Sequence, residues 1–320
     1  MVTQAKIRVA LLAGGRSGER EVSLAGAREV ERALDPDKYL VRRYDPALDL
    51  ARLAAEAAEI DVAFILLHGP LGEDGTVQGF LDLLDIPYQG SGVLGSALAM
   101  DKHLSKLIYR QAGLPTADWV MATAADLAAP ERLLADLVLP VVVKPVRQGS
   151  SLGMSIVEEA AQIGPALAKA LALDEQVMVE QYVAGRELTG GVIGNAELAA
   201  LPIVEIIPGE QYRFFDYQAK YQAGASREIC PADLEPAVAA EARRYAIAAH
   251  RALQLRGYSR TDMILTAAGA LYLLETNTIP GMTPTSLLPQ AAAAHGLSFF
   301  QLLDRLLELA LENRAPAASP

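Results

Sequence analysis

Arg260-Thr261-Asp262, then YLLETN at 272–277 running straight into TIPGMTPTS at 278–286, read as two strands of an antiparallel hairpin ahead of a Gly/Pro/Ser/Thr loop. Arg260 and Asp262 are two residues apart, as are Glu275 and Asn277, so each pair falls on one face of its strand. One face therefore presents a guanidinium and three oxygen donors. Two of these donors are carboxylates that repel when left bare, and a divalent cation resolves that geometry. Hard oxygen ligands beside flexible backbone suit Mg²⁺ and the phosphates it escorts better than zinc. A polar hairpin face held by salt bridges is the plainer alternative, but it has no need of the loop chemistry that follows. In GMTPTS, amides around Gly281 suit developing negative charge and Ser286 suits a carboxylate, although many turns share this composition.

Working outward, the 7–12 run IRVALL, the turn Ala13-Gly14-Gly15 and a helical pattern over 21–34 open a parallel α/β unit. Strands are expected at 41–44 and 62–67, and helices at 48–58, 77–84, 93–99 and 102–112. A small α+β lobe follows between 115 and 183. Its expected strands lie at 119–121, 138–144, 154–157 and 177–180, and its helices at 125–137 and 160–172. Beyond Arg186 the pattern turns antiparallel, with strands at 187–193 and 198–204. A polar and aromatic segment at 205–226 exceeds the usual length of a structureless loop (~12–15 residues), which marks a lid. A helix over 236–256 closed by Gly257, the 260–276 hairpin and a last helix over 297–311 complete the chain. The expected architecture is an α/β N-terminal domain with a parallel sheet (1–95), a central lobe (96–185) and a C-terminal lobe with the metal site and lid (186–320).

Composition narrows the function. The chain has 320 residues, is 52% hydrophobic, and carries 28 basic against 39 acidic side chains, so 28 − 39 = −11. That balance argues against a general nucleic-acid binder, which turns positive charge to the backbone, but it leaves room for a small nucleotide. Cys230 is the single cysteine and has no His partner at motif spacing, so no intramolecular disulfide forms. The start lacks the basic and apolar regions of a signal peptide, and no run of ~18 apolar residues suggests a membrane span. A soluble cytoplasmic protein is expected, with a frayed tail at 313–320.

Several further groups admit two readings. Lys144 near a strand end, followed by RQGSSLG at 147–153, suits triphosphate or is a surface lysine by a turn; no GxxxxGK[ST] loop is present. Lys102, after Met100-Asp101, is a weaker candidate of the same kind. Glu180 and Glu187 bracket QYVAGR, with Glu180 either solvated or placed to meet a nucleotide's amino group or ribose near Val183. Glu19 follows a glycine turn before a helix start, where anions are favoured. AGGRSG has the wrong glycine spacing for a dinucleotide fold. His68 ends a parallel strand, as a site residue or as a buried turn histidine.

In their order these segments resemble the D-alanine–D-alanine ligases of the ATP-grasp superfamily over nearly the whole chain. The residues that carry the resemblance are LLAGGRSGEREVSL at 11–24, LLHGPLGEDGTVQGFLDLLDIPYQGSG at 66–92, MDKHLSK at 100–106, VVKPVRQGSSLG at 142–153, FFDYQAKY at 214–221, RTD at 260–262 and ETNTIPGMTPTS at 275–286. The resemblance implies an ATP-grasp fold of two α+β lobes after the N-terminal domain, and a homodimer. It implies ATP-dependent joining of two D-alanines through a D-alanyl phosphate, for peptidoglycan precursors. Lys102 and Lys144 would contact ATP phosphates, with Ser151 covering them, and Glu180, Val183 and Glu187 would hold adenine and ribose. Asp262, Glu275 and Asn277 would hold two Mg²⁺ ions, for which Mn²⁺ substitutes.

On the amino-acid side, Glu19 would take the ammonium of the first D-alanine in a network with Ser150 and Tyr221, with His68 nearby. Arg260 and the Gly281 amide would face the oxyanion. Ser286, Lys220 and Leu287 would hold the second D-alanine. Lys220-Tyr221 is intact, whereas relatives making D-alanyl-D-lactate or D-alanyl-D-serine often lack that pair. Met263 stands where the family commonly has an aromatic and would pack under adenine. The rivals are those two ligases, or an ATP-binding sensor of the same fold without turnover.

Overall fold

The computed structural model describes residues 5–209 and 226–312. Lys220, Tyr221 and most of the expected lid lie outside the described residues, as does the tail at 313–320. Among the described residues the strands form three sheets. In the first, β1 (Ile7–Leu12) lies between β2 (Tyr39–Tyr44) and β3 (Val62–Ile65), both parallel to it. Every residue of β3 is buried, as expected of a parallel strand covered on both faces. The crossovers carry α1 (Arg20–Ala33) and α2 (Leu50–Ala55), and α3 (Thr76–Leu83) follows β3.

Next come α4 (Val93–Met100) and α5 (Lys102–Gln111). Asp101 caps α5 by accepting from the Leu104 N–H at 3.0 Å. The second sheet is antiparallel and built from β4 (Trp119–Ala122), β5 (Val141–Pro145), β6 (Ser155–Val157) and β7 (Val177–Gln181), in the order β4-β7-β5-β6. Between β6 and β7, α6 (Ile163–Leu171) packs on this sheet. The strand expected from 138 begins at Val141, because Pro140 has no N–H to offer a ladder. The helix expected over 125–137 does not form. Two 3₁₀ turns, Ala124–Ala128 and Pro130–Leu134, take its place, since Asp126 folds back on Thr123 and Pro130 cannot continue an α-helix.

The third sheet contains β8 (Arg186–Gly194), β9 (Leu198–Ala200), β10 (Val204–Pro208), β11 (Ser226–Ile229), β12 (Gly257–Leu265) and β13 (Leu271–Asn277). Its order is β11-β10-β8-β12-β13, with β9 also on β8, and every pairing is antiparallel. The strand expected over 198–204 splits around Pro202, which removes a ladder donor. β10 and β11 pair Pro208 with Ser226, so the two ends of the expected lid segment are strands.

α7 (Pro236–Ala252) precedes β12, and α8 (Leu287–Ala294) and α9 (Phe299–Glu312) end the described chain. α7 stops before 256, because Gln254 takes a positive φ and Gly257 (φ +72) opens β12 instead of capping the helix. Packing crosses the expected domain spans. Ala99, Tyr109 and Leu114 share a core with α7 and the third sheet, while α8 and α9 share one with α1, β1 and β3. Among the described residues, no helix is long and apolar enough to cross a membrane.

Candidate active site

The antiparallel hairpin expected from the opening stretch forms. β12 and β13 pair Arg260 with Asn277 and Asp262 with Glu275, with a bulge just after Asp262. Asp262 is 6% exposed. Its carboxylate accepts from Arg260 Nε (2.9 Å) and Nη2 (2.7 Å), Thr189 Oγ1 (2.6 Å) and Asn277 Nδ2 (3.2 Å). Glu275 has Lys102 Nζ at 3.5 Å. The two carboxylates expected to repel are therefore balanced by cations from β12 and α5.

This hairpin separates two cavities. Asp262 and Glu275 line the first, with Lys102, Lys144, Ser151, Glu180, Val183 and Glu187. Arg260 and Asn277 line the second, with Glu19, His68, Ser150, Gly281, Ser286 and Leu287. The second holds about 460 Å³, inside the range of small-molecule sites, roughly 300–1,000 Å³. Steps of two along each strand thus pass from one cavity to the other.

In the first cavity, Lys144 at the end of β5 donates to Glu180 Oε2 at 2.6 Å, and Lys106 of α5 donates to Glu180 Oε1. Burial opposes ionisation of Glu180, but Lys144 and Lys106 outweigh it and hold the carboxyl below its ordinary range. Burial pushes the Lys106 ammonium down, with Glu180 acting against that. The Glu180 carboxylate is thus turned to two lysines. Lys102 Nζ donates to the Gln148 carbonyl at 2.6 Å, fixing the start of the Gly/Ser loop. In that loop Ser150 and Ser151 both hold positive φ (50° and 56°), a strained conformation for side-chain-bearing residues of the kind that gathers at ligand sites.

Met263 is a correction. It is fully buried in the core with Leu188 and Ala246, on the opposite side of the sheet from the cavity. Strand alternation requires this, since Asp262 and Ile264 face the cavity. Ile264 and Leu274 supply the apolar lining instead, with Met154 and Ile156 across from them.

In the second cavity Ser150 Oγ donates to Glu19 Oε1, joining the Gly/Ser loop to the start of α1. Burial pushes His68 down toward its neutral form, with Glu19 acting against that and Arg260 with it. Gly281 and Ser286 meet: a Cβ on Gly281 would fall 3.0 Å from Ser286 Oγ. Ser286 also accepts from the Thr283 N–H at 3.1 Å, which closes the loop before α8.

Four residues escaped the sequence reading. Glu73 donates nothing in its ionised form, but burial, aided by the charge of Glu19, pushes its carboxyl up to about 8, and it accepts from the Gly69 N–H at 2.6 Å. Its signal was its place in HGPLGEDG, a stretch already singled out. Lys106 lies four residues after Lys102 on one face of α5, a spacing that could have found it. Thr189 and Glu228 had no local signal; pairing of β8 with β12 and the fold of the third sheet bring them in. Cys230 is half-buried with its thiol toward the Gln290 carbonyl, and burial raises its pKa.

Asp262, Glu275 and Asn277 fit Mg²⁺ by donor chemistry, being hard oxygens on one face of adjacent strands. Among the described residues no three His, Cys, Asp or Glu side chains form a cage of their own. That suits an ion that takes one or two carboxylates and completes its shell with waters and substrate phosphates.

Comparison with known proteins gives the family. Residues 108–308 match the family model for the D-ala D-ala ligase C-terminus, and residues 45–91 match that for the N-terminus. A D-alanine–D-alanine ligase of Desulfotalea psychrophila is 61% identical over 309 residues, covering 96% of each chain. One from Syntrophobacter fumaroxidans is 58% identical over 308 residues, covering 96% of this chain and 99% of the relative. The crystal structure of a D-alanine–D-alanine ligase from Bacillus anthracis complexed with ATP superposes with a TM-score of 0.81 at 33% identity, covering 96% of this chain and 98% of that one. The chain belongs to the D-alanine–D-alanine ligase family.

Proposed function

We propose that this protein joins two D-alanines to D-alanyl-D-alanine with consumption of ATP. One observation carries the reading: Asp262 and Glu275 line one cavity while Arg260 and Asn277, two residues along the same strands, line the next. A phosphoryl donor in the first cavity and a carboxylate acceptor in the second meet over this hairpin. Positioning supplies most of the catalysis, and no side chain forms a covalent intermediate.

A carboxylate oxygen of the first D-alanine takes the γ-phosphoryl group as its bond to ADP breaks, giving an acyl phosphate. The amine of the second D-alanine attacks the acyl carbon and loses its extra proton, and the tetrahedral intermediate expels phosphate. Lys102 and Lys144 hold the phosphates, Ser151 covers them, and Glu180, Val183 and Glu187 hold adenine and ribose. Glu19, fixed by Ser150, takes the ammonium of the first D-alanine beside His68. Arg260 and the Gly281 N–H face the oxyanion. Ser286, Leu287 and Lys220 hold the second D-alanine, and Tyr221 closes the lid that keeps water from the acyl phosphate. Asp262, Glu275 and Asn277 would hold Mg²⁺, or Mn²⁺ in its place, which would neutralise charge on the transferring phosphate.

A cytoplasmic homodimer supplying cell-wall precursors, divided near residues 95 and 185, fits this reading. ADP and dipeptide formation from Mg-ATP and D-alanine, with L-alanine, D-serine and D-lactate in parallel, tests it. D-alanine should give dipeptide and ADP in equal amounts, and L-alanine neither. ATP binding without D-alanine-dependent phosphate release would make the protein a sensor. Preferential mixed product would make it a D-alanyl-D-serine or D-alanyl-D-lactate ligase.

A further inference from the structure

Lys106 is the one fully buried lysine of the described chain, and no step of the proposed reaction uses it. Its ammonium donates to Glu180 Oε1 and to Thr116 Oγ1. The Thr116 hydroxyl in turn donates to the Leu273 carbonyl of β13 at 3.0 Å, two residues before Glu275. On its other oxygen, Glu180 receives Lys144, which lines the nucleotide cavity. A continuous polar chain thus runs from Lys144 on the small lobe, through α5, to the strand bearing Glu275 and Asn277.

The same helix face makes two further attachments. One turn before Lys106, Lys102 donates to the Gln148 carbonyl. One turn after it, the Tyr109 hydroxyl bonds Thr276 Oγ1 at 2.7 Å, and Thr276 bonds Thr261 at 2.9 Å, directly behind the acidic pair. Residues spaced three and four apart share a helix face. Along this face α5 therefore registers the Gly/Ser loop, the Lys144–Glu180 pair and the acidic hairpin against one another.

We propose that Lys106 is a positioning residue for the nucleotide, holding the Glu180 carboxylate so that Lys144 stays directed at the phosphates and tying that pair to β13. The proposal rests on the ATP-dependent reading of the same site. Without Lys106, the full charge of the buried Glu180 carboxylate falls on Lys144 and draws its ammonium away from the phosphates. Replacing Glu180 by a neutral isostere in that background removes the pull. A role confined to core packing predicts the same loss on replacing Lys106 whether or not Glu180 carries its charge.

The test is calorimetric binding of Mg-ADP to wild type, K106M, E180Q and K106M/E180Q, with KM for ATP and for D-alanine measured alongside. K106M should weaken Mg-ADP about tenfold or more and raise the KM for ATP in step, with the KM for D-alanine within about twofold. Adding K106M to E180Q, where any nucleotide contact of the Glu180 carboxylate is already lost, should weaken Mg-ADP by no more than about threefold. Wild-type binding by K106M, or a loss on adding K106M to E180Q as large as in wild type, overturns the proposal. If K106M does not fold, T116V serves: it keeps the charge and breaks the link to β13. It should weaken Mg-ADP by about threefold, and wild-type binding by T116V then overturns the proposal. Binding is read without turnover, so a wild type that binds Mg-ADP but makes no dipeptide defeats the ligase reading while leaving this one to its own result.

Discussion

At Asp262, donors from β8, β12 and β13 converge on one carboxylate, and Arg260 approaches it with two nitrogens at once. A bidentate fork fixes direction as well as charge, which a single ammonium cannot do. Arg260→Lys should therefore lower kcat by about 10²–10³-fold, the usual cost of losing an oxyanion donor, with the KM for ATP changed only a few-fold. Steady-state kinetics decide it, and an unchanged kcat would remove Arg260 from the chemistry.

A second residue-level expectation concerns stability. His250 is 1% exposed, with Nδ1 2.8 Å from Ser259 Oγ, and burial with help from Arg251 lowers its pKa from 6.5 to about 4. As pH falls below 6.5 the unfolded chain takes up this proton first, so the stability held above 6.5 is lost progressively down to about 4. From pH 7 to pH 5 this group should remove about 2 kcal/mol. Urea unfolding of wild type and His250→Gln at both values should differ in pH dependence by that amount; parallel curves would refute it. Glu73, raised to about 8, works the other way, favouring the fold at low pH and losing its contribution as pH rises through 8.

Among the elements, the turn that leads into α3 is the most constrained. Gly75 caps that helix at φ +95, and a Cβ there would fall 2.7 Å from the Val93 carbonyl oxygen. Gly75→Ala meets both a left-handed backbone and a backbone atom that cannot rotate away. It should cost about 2 kcal/mol or more, measurable by chemical denaturation. The same turn carries His68 and Glu73, so the KM for D-alanine should rise with the loss of stability. A variant as stable as wild type would show that the turn can relax.

For the whole molecule, the informative feature is that the chain's last described helix returns to its first sheet. Leu306 of α9 is fully buried in the core that holds Val9, Leu11 and Phe64. Leu306→Ala should cost about 2–5 kcal/mol. Because α8 and α9 bridge the N-terminal sheet and the third sheet, this loss should lower one cooperative thermal transition. An early separate melting of the N-terminal unit would show instead that the two are energetically independent.

The local order of elements was legible in the chain. The IRVALL run, the glycine turn and the helical spacing over 21–34 are short-range signals, and β1 and α1 form nearly where they predict. The hairpin, with Arg260, Asp262, Glu275 and Asn277 on one face, was legible for the same reason, since strand period sets the face; its register, with a bulge after Asp262, was not. Met263 departs from the place under adenine that the family resemblance implies, because strand period turns it from Asp262 and Ile264 into the core.

What the chain by itself determined was the family, the order of strands and helices, and the residue types at the acidic hairpin. Only the tertiary structure decided that Thr189 caps Asp262, that Ser150 reaches Glu19 across 131 positions, and that Lys106 lies buried between Glu180 and Thr116. Those contacts join residues with no fixed spacing, and they exist only once packing of the sheets has excluded water and made an unpaired charge costly.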